Sequence, residues 1–163
     1  VSKVSMEYMA NILLSQLPIT IVRPFNYTGV GQHSNYLLPK IVEHFVYKKD
    51  RLELGNLDVE RDWSDVRDVV LKYRLLLESD QIVGKVFNVC SSKAYSLISL
   101  IKSMEHISGH SLDVVVNPNF VRANEVKKLL GDETQLRGQL SLTISRPLED
   151  TLRWMYHSAF VGK

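Results

Sequence analysis

The sequence predicts an α/β fold with a largely parallel sheet. Two patterns predict it. Apolar residues recurring at three- and four-residue spacing alternate with short β-branched runs, and proline or glycine falls between them. The length, 163 residues with 45% hydrophobic and 23% charged side chains, suits one soluble domain with a sizeable core. Residues 1–163 therefore read as a single α/β unit.

Met6, Met9, Ala10, Leu13, Leu14 and Leu17 fall on one face of a first helix, which Pro18 ends. Ile19 to Val22 is a β-branched run suited to a buried strand, stopped at Arg23-Pro24-Phe25-Asn26. Gly29 and Gly31 mark a loop. A second helix follows, with Leu37, Leu38, Ile41, Val42 and Phe45 on its stripe. Leu52 to Leu54 reads as a short strand ending at Gly55-Asn56. Ser64 or Asp65 caps a third helix that turns Val66, Val69, Val70 and Tyr73 inward. Val86 to Val89 is a buried strand. Ser96 caps a helix carrying Leu97, Leu100, Ile101 and Met104, and Gly109 suits its end. Leu112 to Val116 reads as a strand and Glu125 to Leu130 as a short helix. Gly131 to Ser145 has no clear period. Pro147 sits in the first turn of a last helix with Leu148, Leu152 and Met155 buried.

Composition narrows the function. A formal net charge of +2 provides no field for nucleic acid or an anionic membrane. No apolar run approaches the ~18 residues of a membrane span. Val1-Ser2-Lys3-Val4 has neither an initiator Met nor an apolar leader, and reads as the interior of a longer chain. The lone Cys90 forms no disulfide framework, fits a reducing cytoplasm, and lies in an apolar strand as a packing residue. His33, His44, His106, His110 and His157 lack metal-ligand spacing, so no metal is expected. Thr28-Gly29-Val30-Gly31-Gln32 has two glycines but no third for a dinucleotide turn, and follows a late strand. Trp63 and Trp154 read as packing residues.

Several segments, in one order along nearly the whole chain, resemble extended short-chain dehydrogenases. Val1-Ser2-Lys3 before an amphipathic helix is similar to the end of their Tyr-x-x-Ser-Lys signature, with the tyrosine upstream of Val1. Arg23-Pro24-Phe25-Asn26-Tyr27-Thr28-Gly29-Val30-Gly31-Gln32 resembles their strand-end motif, in the wording of GDP-4-keto-6-deoxy-mannose reductases. Leu54 to Val69, and Arg122-Ala123-Asn124-Glu125-Val126 with Leu130-Gly131-Asp132, are similar to motifs shared with GDP-mannose 4,6-dehydratases. Departures are Val30 in place of proline, Tyr27 in place of histidine, and a 137–143 segment without the usual Gly-Trp-x-Pro run.

The resemblance implies the C-terminal part of a Rossmann-like, doubly wound parallel sheet with an interleaved, small substrate-binding subdomain. It implies that Lys3 hydrogen-bonds the nicotinamide ribose and lowers the pKa of the tyrosine, which exchanges a proton with the sugar. Pro24, Phe25 and Asn26 would face the nicotinamide, with Asn26 a substrate ligand. Arg61 and Arg122 would hold the diphosphate, and Glu125 the ribose hydroxyls. Lys40 would contact the nucleotide, and Gly55 and Asn56 would bring backbone close to the base. Arg67 and Asp68 read as structural. The implied activity is NADPH- or NADH-dependent reduction of GDP-4-keto-6-deoxy-mannose to GDP-rhamnose, in a homodimer. GDP-mannose 4,6-dehydration and other nucleotide-sugar epimerase or dehydratase reactions are the close alternatives. A non-catalytic nucleotide-sugar-binding or dimerisation module is the alternative of another kind, with Met6, Met9 and Leu13 as interface. Lacking the tyrosine, residues 1–163 alone are expected to be inactive.

Overall fold

The structure, a computed structural model, describes residues 2–141 and 145–160. Val1 and the 142–143 part of the departing segment lie outside the described residues. Helix α1 (Ser2–Leu13) leads through Ile19 and Thr20 into strand β1 (Ile21–Pro24), then β2 (Asn26–Thr28) and α2 (Leu37–Val46). Next come β3 (Arg51–Leu54), β4 (Glu60–Asp65), α3 (Val66–Leu77), β5 (Val86–Val89), β6 (Ala94–Ser96) and α4 (Leu97–Ser108). Strand β7 (Asp113–Val116), a 3₁₀ turn (Pro118–Phe120), β8 (Lys128–Leu129), α5 (Thr134–Leu140) and α6 (Leu148–Ser158) complete the order.

The parallel pairing expected from the buried strands is present, but it is divided among small sheets. β1 runs parallel to β5, β2 to β4, and β3 to β7, while β4 also takes β6 antiparallel and β8 parallel. Two apolar cores lie beside these sheets. The larger joins Leu38, Ile41 and Phe45 of α2 to Leu100 and Met104 of α4 and Leu152 of α6, under Leu52 and Leu54 of β3. The smaller packs Val69 and Leu76 of α3 against Phe87 and Val89 of β5 and Leu136 of α5.

Cap chemistry sets several boundaries. Asp65, not Ser64, caps α3, its carboxylate accepting the Arg67 N–H at 2.8 Å. Ser96 caps α4 through the Ser99 N–H at 3.1 Å, and Gly109 closes that helix with φ of 65°.

The structure corrects four sequence expectations and supplies an element where none was read. The α1 stripe exists, but Met6, Met9, Leu13 and Leu17 stay exposed, because no described element packs over that face. Val70 points to solvent; α3 instead buries Asp68, Val69, Lys72 and Leu76, one step round the helix. Glu125 to Leu130 forms no helix, since the Glu60 N–H takes the Lys127 carbonyl at 2.7 Å and draws the chain into β8. Pro147 stands at the N-cap of α6, one place before its first turn. The unread stretch after Gly131 contains α5.

Candidate functional site

A cleft of about 970 Å³ opens where β1 passes into β2, beside the end of β3. Lys3, Pro24, Phe25, Asn26, Lys40, Gly55 and Arg122 all contribute to its wall. These residues come from five separate places in the chain, and the parallel pairings bring them together. The Phe25 N–H continues the β1 ladder onto the Val89 carbonyl at 2.9 Å. Pro24 adds no donor there and lets the chain switch from β5 to β4.

Asn26 lies opposite Trp63 in the β2–β4 register, and its amide donates to the Asp62 carbonyl at 3.1 Å. That bond fixes the side-chain plane while leaving one amide hydrogen and the oxygen uncommitted to Asp62. Behind this strand the Asp62 carboxylate, fully buried, accepts from the Ser91 N–H (2.8 Å) and hydroxyl (2.7 Å), the Ser92 N–H (3.0 Å) and the Gly131 N–H (3.2 Å). Cys90 packs against Gly131, next to Phe25, and burial pushes its thiol above its ordinary value.

Lys40, on the first turn of α2, donates to the Glu53 carbonyl at 2.8 Å, and its ammonium lies 4.9 Å from the centre of the Phe120 ring. Gly55 faces the Phe120 carbonyl so closely that a Cβ would overlap it. Asn56 lies outside the cleft wall and clamps the segment that bears Arg122. Its side chain accepts the Arg122 N–H at 2.8 Å and donates to the Arg122 carbonyl at 3.3 Å.

Arg61 and Glu125 also lie off the cleft wall and form an ion pair, with side chains 13% and 20% exposed. Arg61 further donates to the Glu60 carbonyl at 2.9 Å. Arg122 sits 3.9 Å from the other Glu125 oxygen and keeps 81% of its side chain exposed. Two guanidiniums share one carboxylate, so this edge of the site is net positive. Sequence reasoning missed Asp62, Gln32, Tyr36, Glu53 and Phe120 around the cleft. An acidic residue inside a polar strand was the available signal for Asp62; the others become visible only in three dimensions.

Arg67 pairs with Asp65 at 2.6 Å and lies over the Trp154 ring, and Arg146 pairs with Asp68, so both motif residues tie helix ends together. Among the described residues no group of His, Cys, Asp and Glu side chains is placed to hold a metal ion, and no helix is long and apolar enough to cross a membrane.

The family model for GDP-mannose 4,6 dehydratase matches residues 1–155. The chain belongs to the GDP-mannose 4,6 dehydratase family. It is 38% identical over 136 residues to a GDP-6-deoxy-D-talose 4-dehydrogenase of Aggregatibacter actinomycetemcomitans, covering 83% of this chain and 46% of that protein. It is 32% identical over 123 residues to a GDP-6-deoxy-D-mannose reductase of Pseudomonas aeruginosa, covering 72% of this chain and 40% of that protein. Among solved structures, a candidate epimerase of Burkholderia cenocepacia J2315 superposes with a TM-score of 0.95 at 48% identity, covering 99% of this chain and 53% of that one. RMD of Pseudomonas aeruginosa, complexed with NADPH, superposes with a TM-score of 0.87 at 26% identity, covering 96% and 54%. This member of the GDP-mannose 4,6 dehydratase family thus spans about half the length of the relatives it matches.

Proposed function

We propose that this chain is the C-terminal, nucleotide-sugar-binding half of an NAD(P)-dependent enzyme acting at C4 of a GDP-6-deoxyhexose. In the leading reading it reduces GDP-4-keto-6-deoxy-mannose to GDP-rhamnose. One observation carries the reading: Lys3, Asn26 and Arg122, far apart in sequence, line one cleft.

The residues fit the chemistry. Lys3 offers an ammonium donor beside the apolar Pro24–Phe25 turn, which suits a ribose hydroxyl next to a flat ring. When bound, the reduced nicotinamide supplies the hydride for the keto carbon. Asn26, its plane set by Asp62, offers an amide hydrogen and an oxygen to the sugar. Arg122 offers the diphosphate an exposed guanidinium from the cleft wall, and Glu125, paired with Arg61 just beyond that wall, is the acceptor assigned to the ribose hydroxyls. Gly55 and Asn56 shape the base end through the Phe120 and Arg122 backbone. The exposed Met6 and Met9 of α1 support a homodimer.

The relative named for 6-deoxy-talose favours a second reading, in which the product has the opposite configuration at C4. Full-length protein, incubated with NADPH or NADH and GDP-4-keto-6-deoxy-mannose, should consume the reduced cofactor. Nuclear magnetic resonance of the product then distinguishes the two sugars. Tight GDP-sugar binding with no turnover would leave a binding module and overturn the enzyme reading.

A further inference from the structure

The cleft carries a large aromatic ring that the fold leaves unburied. Phe120 ends the 3₁₀ turn and is 50% exposed, although rings of this size normally contribute their area to a core. The ring is nevertheless held in place. The Phe120 N–H donates to the Asn117 carbonyl at 2.9 Å, and the Asn117 side chain accepts the Asn119 N–H at 3.0 Å. Gly55 admits the Phe120 carbonyl where any side chain would exclude it. Lys40 stands over the ring at 4.9 Å, anchored in turn on the Glu53 carbonyl. An apolar plane is thus fixed in the wall of a polar cleft, with Lys40 and Arg122 in the same wall.

We propose that Phe120 is the stacking platform for the nucleotide base, and that Lys40 acts by supporting this ring. The proposal rests on the GDP-sugar reading and adds the residue that meets the base. Stacking uses the flat face of a base, so a bicyclic purine gains more contact on the ring than a pyrimidine. Arg122, whose backbone N–H Asn56 accepts, stands two residues after Phe120 and lines the same cleft, which puts a diphosphate-binding group near the platform.

The test is calorimetric titration of the full-length protein and its Phe120→Ala and Phe120→Trp variants, with GDP and with inorganic pyrophosphate. Phe120→Ala should raise the Kd for GDP roughly 10-fold or more, and Phe120→Trp should hold it within about threefold. Neither variant should change the Kd for pyrophosphate. An unchanged GDP Kd in Phe120→Ala overturns the stacking role and leaves the GDP-sugar reading standing. Equal losses for GDP and pyrophosphate in both variants also overturn it, since the ring would then only shape the loop. A wild-type protein that does not bind GDP overturns the reading and the proposal together.

Discussion

The carboxylate of Asp62 accepts the backbone N–H of Gly131 at 3.2 Å, both groups buried, across a separation of 69 residues. The same carboxylate holds the Ser91 and Ser92 N–H groups, and the Asp62 carbonyl orients Asn26. One residue therefore joins the cleft strand, the turn after β5 and the end of the segment that carries Arg122.

Removing that acceptor should cost stability first. Asp62→Ala leaves the buried Ser91 and Gly131 N–H groups and the half-buried Ser92 N–H without their partner, and a hydrogen bond to a charged group contributes about 1.5–3 kcal/mol. The expected loss is about 3–5 kcal/mol in denaturant unfolding of the full-length protein. Asp62→Asn, which keeps one oxygen but turns an amide toward N–H donors, should recover only part of it. A loss below about 1 kcal/mol for Asp62→Ala would show that these bonds contribute little net stability.

Arg61 and Arg122 should separate cleanly. The Arg122 side chain is mostly exposed and its ion pair with Glu125 is long, while its bonds to Asn56 are made by the backbone, so Arg122→Ala should leave unfolding within about 0.5 kcal/mol. It should weaken nucleotide-sugar binding by about 1.5–3 kcal/mol in calorimetry. Arg61→Ala leaves the largely buried Glu125 without its closest partner and should destabilise the protein by about 1–3 kcal/mol. Equal stability losses in the two variants would contradict this division of labour.

Acid should weaken the α3 cap. Burial alone would raise the Asp65 carboxyl, but hydrogen bonds from the Arg67 side chain, Thr151 and the Arg67 N–H outweigh it and hold it below the usual carboxylate range. A folded value below the unfolded one stabilises fully above about pH 4 and loses that stabilisation as pH falls through the folded value. Asp65→Ala should cost about 0.5–2 kcal/mol at pH 7. The gap between the two proteins should narrow below about pH 4, as followed by urea midpoints. A gap constant from pH 7 to pH 3 would assign the cost to packing alone.

What was legible in the sequence was local. Ser96 and Gly109 bound α4 because a cap needs only its own helix, and the runs that form β1 and β5 stand out as β-branched or apolar stretches, though which strands they pair with is a non-local outcome. β4 was hidden because Asp62, Ser64 and Asp65 are polar yet buried, and the donors to Asp62, together with the Thr151 hydroxyl on Asp65, lie far along the chain. The same non-local capture turned the Glu125–Leu130 stretch from a helical pattern into β8. Lys3, Asn26 and Arg122 could be proposed from motifs. Phe120 could not, because only the approach of its carbonyl to Gly55 sets it in the cleft wall.

Gly55→Ala tests that approach directly. The added methyl would overlap backbone, the Phe120 carbonyl, so it cannot be relieved by rotating a side chain. The end of β3 or the 3₁₀ turn must shift, at a cost of about 1–3 kcal/mol, the range for forced overpacking. The shift should carry Phe120 away from Lys40 and disturb the Asn117–Phe120 hydrogen bond, since both depend on where that turn sits. Unfolding should therefore be destabilised and GDP binding weakened together, whereas Phe120→Ala should weaken binding with a smaller stability loss, because the ring is half-exposed. If Gly55→Ala keeps wild-type stability and GDP affinity, the turn has room to yield and does not set the position of the ring.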